Sequence, residues 1–149
     1  MTDLKPRLFA NDAAVRRIGE GLLARTLPRD DWTHEAHLAA CLWLLSERGD
    51  VDLPKELPGI IRRYNESVGG VNDDNQGYHE TLTQLYIEAV REWMLQNAAI
   101  ATRVVPSLVD CVNALLASPI ADRAWPLRLY SPERLFSVDA RRRYIMPDL

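Results

Sequence analysis

From Ala36 to Leu45 the chain reads Ala-His-Leu-Ala-Ala-Cys-Leu-Trp-Leu-Leu, with His37 its only polar side chain. At about 3.6 residues per turn, such a run is apolar on every side of a helix. A helix of that kind sits in the middle of a bundle, so the chain needs several other helices around it. The remaining sequence supplies them. The spacing predicts a first helix over residues 11–26, with Val15, Ile18, Leu22 and Leu23 on one stripe, Asn11 as cap and Pro28 as stop. The apolar helix itself spans 32–48, capped by Asp31 or Thr33 and ended by Gly49. A third helix covers 54–67 and starts properly at Pro58, a favoured first-turn proline. Residues 69–77, rich in glycine and Asx, read as a loop. A fourth helix covers 78–97 with the stripe Leu82, Tyr86, Ala89, Val90 and Trp93. A fifth covers 98–117, where Pro106 kinks or splits it.

The tail, 119–149, carries Pro119, Pro126, Pro132 and Pro147, and Ser131-Pro132-Glu133 has the form of a cap and first turn. It is expected to wrap the bundle, burying Leu135, Phe136, Tyr144 and Ile145. No run of period two argues for a strand. The expected fold is all-α: one domain, 1–149, a bundle of about five main helices with an irregular C-terminal wrap.

Composition limits the function classes. A chain of 149 residues with 47% apolar side chains has the material for one core and needs no metal merely to fold. A net charge of −3 argues against general nucleic-acid binding, and Arg141-Arg142-Arg143 is the only dense basic cluster. No apolar stretch approaches the ~20 residues of a membrane span. Met1 to Pro6 has no apolar core of a secretory signal. Cys41 and Cys111, each in an apolar helical segment, read as reduced, buried, unlinked thiols, and the expected location is the cytoplasm. A second copy of the chain, forming a homodimer, is the alternative cover for the apolar helix.

The chain has three histidines, and their placement is the most suggestive chemistry in it. His34 and His37 share a helix face, with Cys41 one turn further along. His79 leads the stripe of the fourth helix. If both helix starts lie at one end of the bundle, three imidazoles converge. Helix N-termini disfavour imidazolium, and neutral rings suit a metal. Three imidazoles with a carboxylate or water fit Zn, Fe or Ni ions. Glu35 and Glu80 are then candidates for general base or for orienting a ligand ring, and Tyr78, Thr83 and Tyr86 for contacts to a bound small molecule.

Other motifs fail. His34-Glu35-Ala36-His37 brings the second His one residue too early for H-E-x-x-H. The loop from Asn72 to Gly77 begins with Asn and has Thr83 where a calcium loop needs Glu. Cys41 beside His37 has nucleophile–base spacing, but an apolar helix centre raises a thiol pKa and argues for an inert residue.

Trp32-Thr33-His34-Glu35-Ala36-His37-Leu38 resembles an aromatic-Thr-His-x-x-His-Leu signature of a group of small bacterial helical proteins with no assigned reaction. A second signature of that group is similar to Asn72 through Thr83, here containing Gly77-Tyr78-His79-Glu80-Thr81-Leu82-Thr83. The tail from Tyr130 to Leu149 is also similar, with Tyr144 in place of a more usual Trp. The resemblance implies a helical fold and marks His34, His37 and Tyr78–Thr83 as shared. Three functions stay open: a metal-dependent site on His34, His37 and His79; a non-catalytic module for a small anionic ligand, with Arg141 among its contacts; and a helical interaction protein in which the histidines are structural.

Overall fold

The computed structural model describes residues 7–98 and 107–149. Among these, seven α-helices and a few 3-10 turns occur and no strand, so the all-α fold stands. The main helices are α1 (Asp12–Ala24), α2 (His34–Glu47), α3 (Leu53–Ser67), α4 (Glu80–Ala98) and α5 (Leu108–Leu116); α6 (Pro132–Leu135) and α7 (Val138–Arg142) are short. The expected kink at Pro106 lies outside the described residues.

The apolar helix is central. From Leu38 to Leu44 every residue of α2 is buried, and it packs against α1, α4 and α5. Its start is fixed by Thr33, whose hydroxyl accepts from the Ala36 amide at 3.1 Å. The close approach of α1 depends on Gly19: a Cβ there would lie 2.1 Å from the Trp43 ring. α1 is capped by Asn11, which accepts from Ala14 at 2.8 Å.

α3 begins at Leu53, one turn earlier than Pro58 suggested, and Pro58 lies inside it. An internal proline leaves the carbonyl four residues back without its helical donor. Here that carbonyl, on Pro54, accepts instead from the Gln84 side chain of α4 at 2.9 Å. A contact between helices therefore makes the proline tolerable. At the other end of α3, the Tyr64 hydroxyl donates to the Leu27 carbonyl at 2.8 Å in a fully buried setting.

The tail packs on α4 through a separate cluster of Leu85, Tyr130, Leu135, Ala140 and Ile145. Thr81 stitches it down, donating to the Arg143 carbonyl and accepting from the Ile145 amide. Of the four tail residues expected to be buried, Leu135 and Ile145 are, whereas Phe136 is 64% exposed and Tyr144 44%. Phe136 ends the single turn of α6 and lines a cavity on the surface, while Tyr144 and Ile145 follow α7 and only Ile145 joins the cluster on α4. The cysteines are both free; Cys41 is buried, while Cys111 is only half-buried. No helix among the described residues is long and apolar enough to cross a membrane.

Candidate ligand-binding cavity

A cavity of about 460 Å³ opens between α2, α3, α4 and the tail. Its apolar wall comes from Leu38, Leu57, Ile61, Leu82, Ile87 and Leu135, and its rim from Arg123, Pro126, Leu127 and Phe136. His34, His37 and His79 all line it. The stripe of α4 supplies part of its wall: half-buried Leu82 and Tyr86 and buried Ile87 face the cavity, while Leu85 and Val90 are buried away from it.

The three rings differ in what holds them. A backbone carbonyl only accepts, so any imidazole nitrogen bound to one carries the proton. His79 donates from Nε2 to the Leu135 carbonyl at 2.9 Å, and its Nδ1 accepts from the Leu82 amide at 3.1 Å. It thus caps α4 from the residue before the helix, and both nitrogens are engaged. Burial lowers its pKa, in keeping with a neutral ring. His34 donates from Nε2 to the Ala121 carbonyl at 2.8 Å, tying α2 to the tail.

His37, like His34, is engaged at one nitrogen only. Its Nδ1 donates to the Thr33 carbonyl one turn back at 2.7 Å, and its ring stacks on Trp32 with centroids 3.8 Å apart. This fixes both tautomer and ring plane and leaves Nε2 as an unprotonated acceptor. Desolvation in the concavity lowers its pKa to about 4, and the neighbouring His34 pushes the same way. The ring surface is nevertheless exposed. It is recessed among protein atoms yet reached by water through the cavity, which weakens the downward push; the direction gives a neutral ring at pH 7. The Trp32-Thr33-His34-x-x-His37-Leu38 pattern thereby acquires a mechanical meaning: Trp32 stacks, Thr33 caps the helix and accepts from the ring, and Leu38 anchors the turn in the core.

Among the described residues no group of three or more His, Cys, Asp or Glu is arranged to hold a metal ion. The His34, His37 and His79 rings share a cavity wall without forming a ligand set for Zn, Fe or Ni, and the two bonds of His79 are the physical reason. The carboxylates expected to assist lie elsewhere. Glu80 accepts from the Tyr78 hydroxyl and from Gln84. Glu35 is buried behind the rim. Neither lines the cavity.

Tyr78, Thr83 and Tyr86 do line it. The Tyr78 hydroxyl is held by Glu80, and burial together with that carboxylate raises its pKa. The Thr83 hydroxyl donates to the His79 carbonyl. Tyr86, its pKa raised to about 12 by burial, donates to no described residue and packs edge-on against His34. Arg141 is not a lining residue; it braces the Gly77 and Tyr78 carbonyls at 3.1 and 3.3 Å. The second histidine signature is therefore mostly a built loop. Asn72 accepts from Asn65 and from the Tyr78 amide, Arg142 pairs with Asp74, and Gly77 sits at φ +80°.

Sequence reasoning missed Arg123, Leu127 and Phe136 on the rim. No motif marks them, since only the path of the tail brings them to α2 and α3. Comparison of the chain with protein-family models, curated proteins and solved structures returns no match. The site is thus read from its own chemistry. It offers an apolar wall, a fixed neutral acceptor, a phenol and a guanidinium. Burial holds the Cys41 thiol up near 12, so it is not a nucleophile at neutral pH.

Proposed function

We propose that the protein binds a small organic ligand in the cavity lined by His34, His37 and His79, with His37 Nε2 as its principal polar contact. The carrying observation is the asymmetry of the rings. His79 is engaged at both nitrogens, whereas His34 and His37 are each held at one nitrogen by a backbone carbonyl and have no protein partner at the other among the described residues. Of these two, His37 is also fixed by stacking on Trp32 and is the more open to the cavity. An oriented acceptor facing an apolar cavity takes a ligand hydroxyl or N–H without reorganising its ring. The volume suits a compact molecule with an apolar body. A neutral imidazole facing a ligand hydroxyl is also placed to take its proton, so the same geometry supports either binding alone or general-base chemistry.

The test is a small-molecule screen by thermal shift and NMR on protein purified without a histidine tag, alongside metal analysis. Saturable ligands should perturb the His37 and Tyr86 resonances, and Ile61→Trp, which fills the cavity, should abolish their binding. A stoichiometric transition metal bound through His34, His37 and His79 would overturn this function in favour of a metal site. Failure of every compound, with the Ile61→Trp variant more stable than the parent, would make the cavity a mere packing defect.

A further inference from the structure

Glu35 is the most anomalous charged residue in the molecule. It lies in the first turn of α2, is 6% exposed, and its Oε2 has no hydrogen-bond partner. Among the described residues the cation paired with it is Arg123, whose Nη2 approaches Oε2 to 3.6 Å, within ion-pair range but too long for a hydrogen bond. Arg123 in turn lines the cavity, has a side chain 68% exposed, and donates no hydrogen bond to a described residue. A carboxylate buried this deeply is costly unless charge compensates it. The compensating guanidinium stands at the cavity rim with most of its five donors unengaged.

We infer that the ligand is an organic carboxylate bearing a hydroxyl or N–H donor at its far end, with its carboxylate held by Arg123 and Arg123 held at the rim by the buried Glu35. This rests on the binding function proposed above. Arg123 is the specificity-determining residue and Glu35 a positioning residue that acts through it. A guanidinium presents donors on two edges, so it keeps Glu35 on one and takes a carboxylate on the other. The opposite orientation, with the carboxylate against His37, is disfavoured. Two acceptors would face each other there, and a ring whose pKa is near 4 does not readily take up the missing proton.

The experiment is calorimetric titration with matched pairs, each an acid and its primary amide: 4-hydroxyphenylacetate, 3-(4-hydroxyphenyl)propionate and 8-hydroxyoctanoate. In the parent protein at least one acid should bind roughly ten- to a hundredfold tighter than its amide, the range of a charge-assisted contact. Arg123→Gln should erase that ratio, by weakening the acid far more than the amide. Glu35→Gln should lower the ratio with Arg123 intact, and Glu35→Asp should restore part of it; a purely structural role for Glu35 would lower stability without moving the ratio. Equal binding of acid and amide, or a ratio unchanged in Arg123→Gln, overturns the carboxylate inference and leaves the binding function standing. No binding by any member, acid or amide, overturns the inference; the binding function falls with it only if the wider screen also fails and Ile61→Trp is more stable than the parent.

Discussion

The starts of α2 and α4 look alike in sequence and differ in what they leave free. Each has a histidine beside the first turn, an acidic residue next to it and an aromatic just before. At α4 every polar group is engaged: His79 by Leu82 and Leu135, Glu80 by Tyr78 and Gln84, Thr81 by the tail, Thr83 by His79. At α2 the structure holds His37 by one nitrogen and leaves the other, and it buries Glu35 with one oxygen unsatisfied. A histidine engaged at both nitrogens is a tether. One engaged at a single nitrogen by a backbone carbonyl is an oriented acceptor. The same residue type is thus a tether before the first turn of α4 and an oriented acceptor inside the first turns of α2, the feature on which the proposed binding function rests.

That contrast is open to measurement, and the largest effect belongs to the α4 side. Gly77 has φ +80°, and a Cβ there would lie 2.3 Å from the Val71 carbonyl oxygen, a backbone atom that cannot step aside. Gly77→Ala should lower unfolding free energy by on the order of 2–4 kcal/mol in urea denaturation. A loss under half a kcal/mol would mean that the loop is loosely held, and α4 would no longer be the structural member of the comparison.

His79→Ala removes a helix cap and leaves the Leu135 carbonyl without its donor. The expected loss is about 2–3 kcal/mol. His37→Ala removes an exposed ring and one local bond, for which less than about 1 kcal/mol is expected, together with loss of ligand binding. Reversal of that order, with His37→Ala the more damaging to the fold, would break the assignment of roles.

A smaller effect appears in pH dependence. Folding lowers the pKa of both His37 and His79, by burial in each case. As pH falls below about 6.5 the unfolded chain takes up protons that the folded rings refuse. Stability is therefore full above about pH 6.5 and declines as pH falls toward the folded values, about 4 for His37. Water at the exposed His37 ring screens its share, so His79 should carry more of the slope. Denaturation between pH 7 and 4.5 should show a flatter profile in His79→Gln than in His37→Gln. Nitrogen-15 NMR at pH 6 should find His37 neutral with its proton on Nδ1 and His79 neutral with its proton on Nε2. A charged His37 at that pH would remove the acceptor on which the site depends.

Much of the fold was legible from residue periodicity. The run from Ala36 to Leu45 dictates a central helix because no face of it suits water, and the helices around it follow from stripes and caps such as Asn11 and Thr33. These are local rules, enforced within one or two turns. The start of α3 was misjudged because Pro58 is accommodated by Gln84, thirty residues or so away in α4, and no local signal carries that. Phe136 and Tyr144 were misjudged for a similar reason: hydrophobicity asks for burial, but the path of the chain where it leaves the short α6 and α7 decides which residue receives it.

For the site, the sequence determined which residues carry chemistry and that His34, His37 and His79 would stand near helix starts. Only the tertiary structure decided their roles. A tautomer depends on which carbonyl meets which nitrogen, and those of His34 and His79 belong to Ala121 and Leu135, far along the chain. The rim depends on where the proline-rich tail crosses α2, which alone sets Arg123 beside the buried Glu35. Spacing fixes what lies on a helix face because the helix is periodic. What that face meets is set by long-range packing, which has no period to read.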